Sequence, residues 1–426
     1  MSRSRRFVAL APTVILVVGI LAVPASAAVE CFGETPTILG SAGPDRLRGT
    51  SGRDVIHGRG GEDLVRGLGG NDLLCGGGGG DLVFGNDGRD RLHGGANGDG
   101  LQPGAGNDVV VGGGSRFDDV RYPDATGPIN GSLVTGRVTG MGRDTLESGV
   151  EQIVGGPFDD VIEGNDRFNI LIGLEGNDTI SGLGNGDALA GGAGDDVLDG
   201  GDGGDFVQNY FIDDFFRPGN VSEGPVTVNL LTGIATGNGT DTLVAIEAAS
   251  GSRGDDVMTG NAEGNEFTLL AEGSDTVDAG AGDDTVDGGD GADDLDGGPD
   301  VDLLGNLDAG EGMTIDLSTS TDSHGDTFAG FENVWGTFFD DVITGDNGPN
   351  ELVGVDGADQ LSGLGGDDLI IGGFFGFVDP DPDTADGGLG TDMCDAETET
   401  NCEEDPAEPA SARHAPARAA YSLRSK

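Results

Sequence analysis

Gly40-Ser-Ala-Gly-Pro-Asp45-Arg-Leu47-Arg48 is followed without a break by Gly49-Thr-Ser-Gly-Arg-Asp54-Val-Ile56-His57. The same nine-residue frame runs on to Val111, eight units in all. Its sixth position is Asp45, Asp54, Asp63, Asp72, Asp81, Asp90, Asp99 and Asp108; its eighth is Leu47, Ile56, Val65, Leu74, Val83, Leu92, Leu101 and Val110. The first position is Gly in every unit but one (Pro103), and so is the fourth (Asn97). A single unit of this kind would mean little. Eight in frame, with an aliphatic residue always two places after the Asp, define a repeat architecture.

Composition leaves such an architecture few rivals. The chain has 426 residues, 85 of them Gly, and only 35% are hydrophobic and 5% aromatic. That is too little bulky apolar side chain for several wide cores, and Gly carries the largest backbone entropy cost on folding. Two outcomes remain: a disordered chain, or a narrow repetitive structure whose backbone demands Gly. The 77 acidic residues against 21 basic give a formal net charge of −56. Such a chain repels nucleic acid and anionic lipid and attracts hard cations, so neither a nucleic-acid partner nor membrane insertion is expected.

Six Gly-rich residues make a turn, and the last three of each unit make a short strand with one side chain inward. Two units then make one coil, alternate units stack on the same side, and coils lie ~4.8 Å apart. The Asp of one unit therefore lies near the Asp two units on. Such a column repels itself unless a cation sits between successive carboxylates. Carboxylates and turn carbonyls are oxygen ligands, which suit Ca²⁺ better than zinc or copper. The plainer alternative is that Asp and Gly merely make solvated turns. Collagen needs Gly at every third residue, and a phosphate-binding loop needs a strand–turn–helix context without the Asp81 that follows Gly76–Gly80.

The pattern G-G-x-G-x-D-x-U-x, with U a large aliphatic residue, resembles the hemolysin-type (repeats-in-toxin, RTX) calcium-binding family. The resemblance covers residues 40–111, 155–208, 251–305 and 336–371, with one more unit at 387–395. It implies an all-β fold, a parallel β-roll or β-solenoid, with several Ca²⁺ ions as cofactors. Carried into the later blocks, the sixth position adds Asp160, Asp178, Asp187, Asp196, Asp205, Asp256, Asp275, Asp284, Asp293, Asp302, Asp341, Asp359 and Asp368 as metal candidates. The chain departs from the toxin-type members in one respect. Residues 1–27 have the form of a Sec-type signal, with Arg3, Arg5 and Arg6, an apolar run from Phe7 to about Val23, and Ala25-Ser-Ala27 for cleavage. A secreted, extracellular protein is expected, without the toxin role.

Three similar segments separate the repeat blocks. They share Asp144-Thr-Leu146 with Glu151, Asp241-Thr-Leu243 with Glu247, and Asp326-Thr-Phe328 with Glu332. After each, the second nonapeptide carries Asn at position six: Asn169, Asn265 and Asn350. These mark either a faltering metal column or an ordinary Asn in a tight turn. The segments read as β-rich, forming wider coils of the same solenoid or else small domains bulging from it. The division expected is a signal (1–27), N-terminal cap and first block (28–111), spacer (112–154), second block (155–208), spacer (209–250), third block (251–305), spacer (306–335), fourth block with a disulfide cap (336–402) and a disordered tail (403–426).

Four cysteines in a secreted chain imply disulfides. The solenoid's ends lie far apart, so the expected pairs are Cys31–Cys75 and Cys394–Cys402, each closing one end. No H-E-x-x-H or G-x-S-x-G motif accompanies the four histidines, His57, His93, His324 and His414. A non-catalytic monomer is therefore expected, with calcium ions as partners; the alternatives are an adhesin or matrix protein whose spacers hold an extracellular polysaccharide or protein ligand, and an extracellular enzyme with a calcium-stabilised roll.

Overall fold

The computed structural model describes residues 29–114, 117–208, 224–269, 273–307, 309–373, 382–396 and 398–402. The signal and the tail read from the sequence lie outside these residues. Every regular element among them is a β-strand, and the strands form two sheets of 24 and 17 strands. The period of eighteen is explicit in the register. Ile38 lies beside Ile56, Leu64 beside Leu82, Leu74 beside Leu92, and Ile162 beside Ile180, all in parallel pairs. The smaller sheet is parallel throughout, from Arg46–Arg48 to Met393–Asp395.

The core takes one side chain from each nonapeptide, contributed alternately by the two sheets. The eighth-position residues Ile56, Val65, Leu74, Val83, Leu92, Leu101 and Val110 are all fully buried, and the series continues through Ile162, Leu171, Ile180, Leu189 and Leu198 to Ile343, Leu352, Leu361 and Ile370. One inward residue per nonapeptide is enough, because the coils above and below cover its flanks. In the first two blocks the strands are longer than the three residues expected. Leu64–Gly70 and Leu82–Gly88 stay paired to the fourth position of the following repeat. In the third block they shrink to x-U-x, as in Val257–Thr259 and Thr276–Asp278.

The spacers stay within the stack, yet they are not simple wider coils. After Asp119–Arg121 in the smaller sheet, the chain lays down Asn130–Ser132 ahead of itself. It then returns antiparallel through Arg137–Thr139 and Arg143–Leu146, and the last of these rests parallel on Val109–Gly113. Val161–Asn165 resumes the parallel stack on Asn130–Ser132. The other spacers repeat this reversal with Thr227–Asn229, Ile234–Thr236 and Thr240–Val244, and with Thr314–Asp316, Thr321–Asp322 and Thr327–Ala329. The hairpin turns explain the reversal. In each, a polar side chain at the strand end accepts the N–H three residues on: Ser132 from Thr135, Asn229 from Thr232, Asp316 from Thr319. Each reversal adds two strands to one sheet only, which accounts for most of the imbalance between 24 and 17.

Disulfides Cys31–Cys75 and Cys394–Cys402 join the expected pairs, with Cα atoms 5.8 and 5.9 Å apart. The first pins an N-terminal segment, and Cys31 and Cys75 pack there with Val55 and Leu73. The segment lies on the outer face of the larger sheet, where Phe32 packs on Arg91 and His93, and does not close the end of the solenoid as expected.

Candidate metal centres

The sixth-position Asp residues form two ladders, one along each edge of the solenoid. In each, a backbone N–H donates to the carboxylate one coil on. Asp45, Asp63 and Asp81 donate in turn to Oδ1 of Asp63, Asp81 and Asp99, each at 2.8 Å. Asp54, Asp72 and Asp90 do the same to Asp72, Asp90 and Asp108. The pattern recurs from Asp160 to Asp178 to Asp196, from Asp187 to Asp205, from Asp256 to Asp275 to Asp293, from Asp284 to Asp302, and from Asp341 to Asp359. Asp368 accepts from Asn350. All the metal candidates read from the sequence thus lie in one of the two ladders.

Most of these carboxylates have a second oxygen that the protein leaves unsatisfied. Oδ2 is buried without a hydrogen-bond partner in Asp63, Asp72, Asp81, Asp90, Asp99, Asp108, Asp178, Asp187, Asp196, Asp205, Asp284, Asp293, Asp302 and Asp368. Main-chain carbonyls point at the same places. A Cβ on Gly58 would run into both Asp63 Oδ2 and the Gly76 carbonyl oxygen of the next coil, and one on Gly173 into Asp178 Oδ2 and the Gly191 carbonyl. The first-position Gly gives this convergence its space in most turns, Pro103 and Ala279 being exceptions. In the turns of these unpartnered carboxylates the second position is held at positive φ, even where it is not Gly: Arg59, Leu68, Leu174, Leu183 and Leu364 lie between 65° and 89°. Strain of this kind in side chains with a Cβ persists only where the surroundings enforce it.

Converging oxygen lone pairs with no donor between them call for a cation. Burial pushes the Asp99 and Asp108 carboxyls up to about 8, against the pull of the ladder N–H, with neighbouring carboxylates adding to the rise. Asp81, Asp178 and Asp187 are raised to about 7 for the same leading reason. A hard divalent ion would hold these groups ionised, and the all-oxygen donor set fits Ca²⁺. Among the described residues no three acidic, His or Cys side chains converge on one point. Any ion held here would complete its shell from turn carbonyls.

Eight turns are built differently. In these, the second-position N–H turns inward onto its own sixth-position side chain. The donors are Ser41, Thr50, Gly156, Asn165, Ser252, Asn261, Thr337 and Asp346; the acceptors are Asp45, Asp54, Asp160, Asn169, Asp256, Asn265, Asp341 and Asn350, at 2.5–2.8 Å. None of the eight donors has positive φ. These turns come in adjacent pairs, one pair at the head of each block. The other oxygen of Asp160, Asp256 and Asp341 accepts an N–H from the preceding spacer, of Ile129, Val226 and Met313. The amides of Asn169, Asn265 and Asn350 donate to the carbonyls of Glu151, Glu247 and Glu332.

The sequence reading missed ladder members that fall out of the strict frame. Asp118 accepts from Asp99 after a one-residue insertion, and Asp383 and Asp392 accept from Asp359 and Asp368 after longer ones. Asp144, Asp241 and Asp326 of the spacers accept from Asp108, Asp196 and Asp293. The available signal was the triplet Asp-x-aliphatic or Asp-x-aromatic, which survives at each spacer Asp although the Gly frame around it is gone.

The family described as RTX calcium-binding nonapeptide repeat (4 copies) matches residues 39–74, 76–110, 154–189, 172–207, 271–304, 326–354 and 344–375. No curated protein matches the chain. The matched stretches are the coils that carry the carboxylate ladders, and the chain belongs to the RTX calcium-binding repeat family.

Proposed function

We propose that this is a secreted protein whose β-roll folds as Ca²⁺ enters its carboxylate ladders, and that its role is structural or adhesive and not catalytic. The observation that carries this reading is the series of buried, unpartnered Oδ2 atoms facing turn carbonyls. Without a cation each such carboxylate costs on the order of 1–3 kcal/mol or more in unmet solvation. With one, binding free energy becomes folding free energy. Extracellular calcium modules work at Kd values of ~10⁻⁴–10⁻³ M, so a chain of net charge −56 would stay expanded where calcium is scarce and coil up where it is plentiful. The two disulfides and the signal-like start favour an oxidising, extracellular setting. The non-catalytic reading is supported by the place of the buried Asp side chains, nearly all of which serve the ladders.

A circular dichroism titration of the chain lacking residues 1–27 tests this. β content is expected to rise steeply as calcium is raised to millimolar levels. Equal β content in chelator and in calcium would overturn the proposal.

A further inference from the structure

The ladder does not stop where the nonapeptides stop. Asp205 ends the second block, and its N–H donates to Glu247 Oε2 at 2.9 Å; Asp302 ends the third, and its N–H donates to Glu332 Oε2 at 3.0 Å. Both glutamates belong to the stretches between blocks. Both junctions reproduce the other features of an open repeat turn. Asp205 and Asp302 are fully buried, and Oδ2 of each has no hydrogen-bond partner. A Cβ on Gly200 would run into Asp205 Oδ2 and the Ala245 carbonyl, and one on Gly297 into Asp302 Oδ2 and the Gly330 carbonyl. Those carbonyls stand where the Gly76 carbonyl stands beside Asp63.

Two things differ, the exposure of the acceptor and the covalent spacing: Glu247 and Glu332 are half-buried where Asp81 is fully buried. In a nonapeptide the carbonyl and the ladder carboxylate of one turn are five residues apart, as in Gly76 and Asp81; at the junctions they are two apart, as in Ala245 and Glu247. The extra methylene of Glu lets a carboxylate borne on a shorter loop reach the same rung. The rung beyond is closed to a cation, because the amides of Asn265 and Asn350 donate to the Glu247 and Glu332 carbonyls at 3.2 and 2.9 Å.

We propose that Asp205, Ala245 and Glu247, and likewise Asp302, Gly330 and Glu332, form two further divalent-cation sites that tie each block to the spacer after it. The proposal rests on the calcium reading of the repeats. The test counts bound calcium by native mass spectrometry on the chain lacking residues 1–27, as wild type, Glu247→Gln and Glu332→Gln. Gln keeps an oxygen for the ladder N–H and removes the charge. At calcium levels that saturate the repeats, each variant is expected to hold one ion fewer, with unchanged β content. Unchanged counts in both variants would overturn the junction sites and leave the repeat sites standing, whereas a wild type holding no calcium would overturn the calcium reading itself. Should both variants lose β structure, tenfold more calcium decides: recovery at weaker apparent affinity supports the sites, and no recovery overturns them.

Discussion

The coil holding Asp160 and Asn169 and the coil stacked on it, holding Asp178 and Asp187, differ in how each fixed polar group is satisfied. In the lower coil the Gly156 and Asn165 N–H groups turn inward, and every ladder oxygen has a protein donor. In the upper coil Leu174 and Leu183 sit at positive φ, and Asp178 and Asp187 keep a buried oxygen with none. The lower coil is complete with protein atoms alone, while the upper one is complete only with a cation. Since one closed coil heads each block, and the last three rest on the antiparallel spacer before them, calcium dependence is spread unevenly along the solenoid. Each coil contacts only its neighbours, so the unevenness should be visible locally.

Removing calcium gives the largest expected effect. In chelator, amide hydrogen exchange over the open coils of residues 173–207 should approach the rate of an unfolded chain. Residues 128–170, the first reversal with its closed coil, should keep protection on the order of tenfold or more. Equal exchange in the two regions would break the comparison.

Acid should replace calcium in part. The open-turn carboxyls Asp81, Asp99, Asp108, Asp178 and Asp187 are raised by burial to about 7 or 8. A carboxyl raised in the folded state stabilises it relative to neutral pH when protonated. That contribution is fully present below the ordinary Asp value near 4 and is lost as pH rises through 7 to 8. In chelator, β content should therefore increase as pH falls from 8.5 to 5. With calcium bound, the same titration should be nearly flat over that range. A calcium-free chain whose β content fell on acidification would contradict this account.

The coil period, the two edges and the inward aliphatic series were legible because one position in nine repeats each of them. Two things were not. The spacer reversals depend on three-residue hairpin contacts such as Asn229 to Thr232, which leave no period behind. The division into closed and open turns depends on the direction of one peptide plane. Its sequence trace is faint: Ser, Thr, Asn or Asp at position two in seven of the eight closed turns, with Gly156 the exception, while Asn86 occupies the same position at positive φ in an open turn. Asn169, Asn265 and Asn350 add a second trace at position six, but the other five closed turns carry the same Asp as the open ones.

Substitution of the ladder residue should separate those states. Asp160→Ala strands the N–H groups of Ile129 and Gly156, at a cost of about 3 kcal/mol that varies little with calcium. Asp187→Ala strands one N–H, that of Asn169, and removes a ligand, so it should cost as much in millimolar calcium and less in chelator. Urea midpoints for both variants, with and without calcium, measure the difference. An identical calcium dependence of the two losses would dissolve the distinction.

The smallest effect is one of sign. Leu183 is a half-buried residue at φ 84°, in a conformation that costs a side chain with a Cβ about 1–2 kcal/mol and costs glycine almost nothing. Leu183→Gly loses part of this gain to unfolded-state entropy and to lost apolar contact, leaving a net change between zero and about 1 kcal/mol in favour of the folded chain in calcium. Thr337 occupies the same position in a closed turn, at ordinary φ. Its hydroxyl donates to Asp341 Oδ1 at 3.1 Å and accepts the Phe339 N–H at 3.0 Å. Thr337→Gly removes both bonds and should destabilise by about 1–2 kcal/mol. The same replacement at the same repeat position therefore stabilises one turn and weakens the other. Urea midpoints moving in the same direction would mean that the two turns do not differ in the peptide orientation on which the calcium assignment depends.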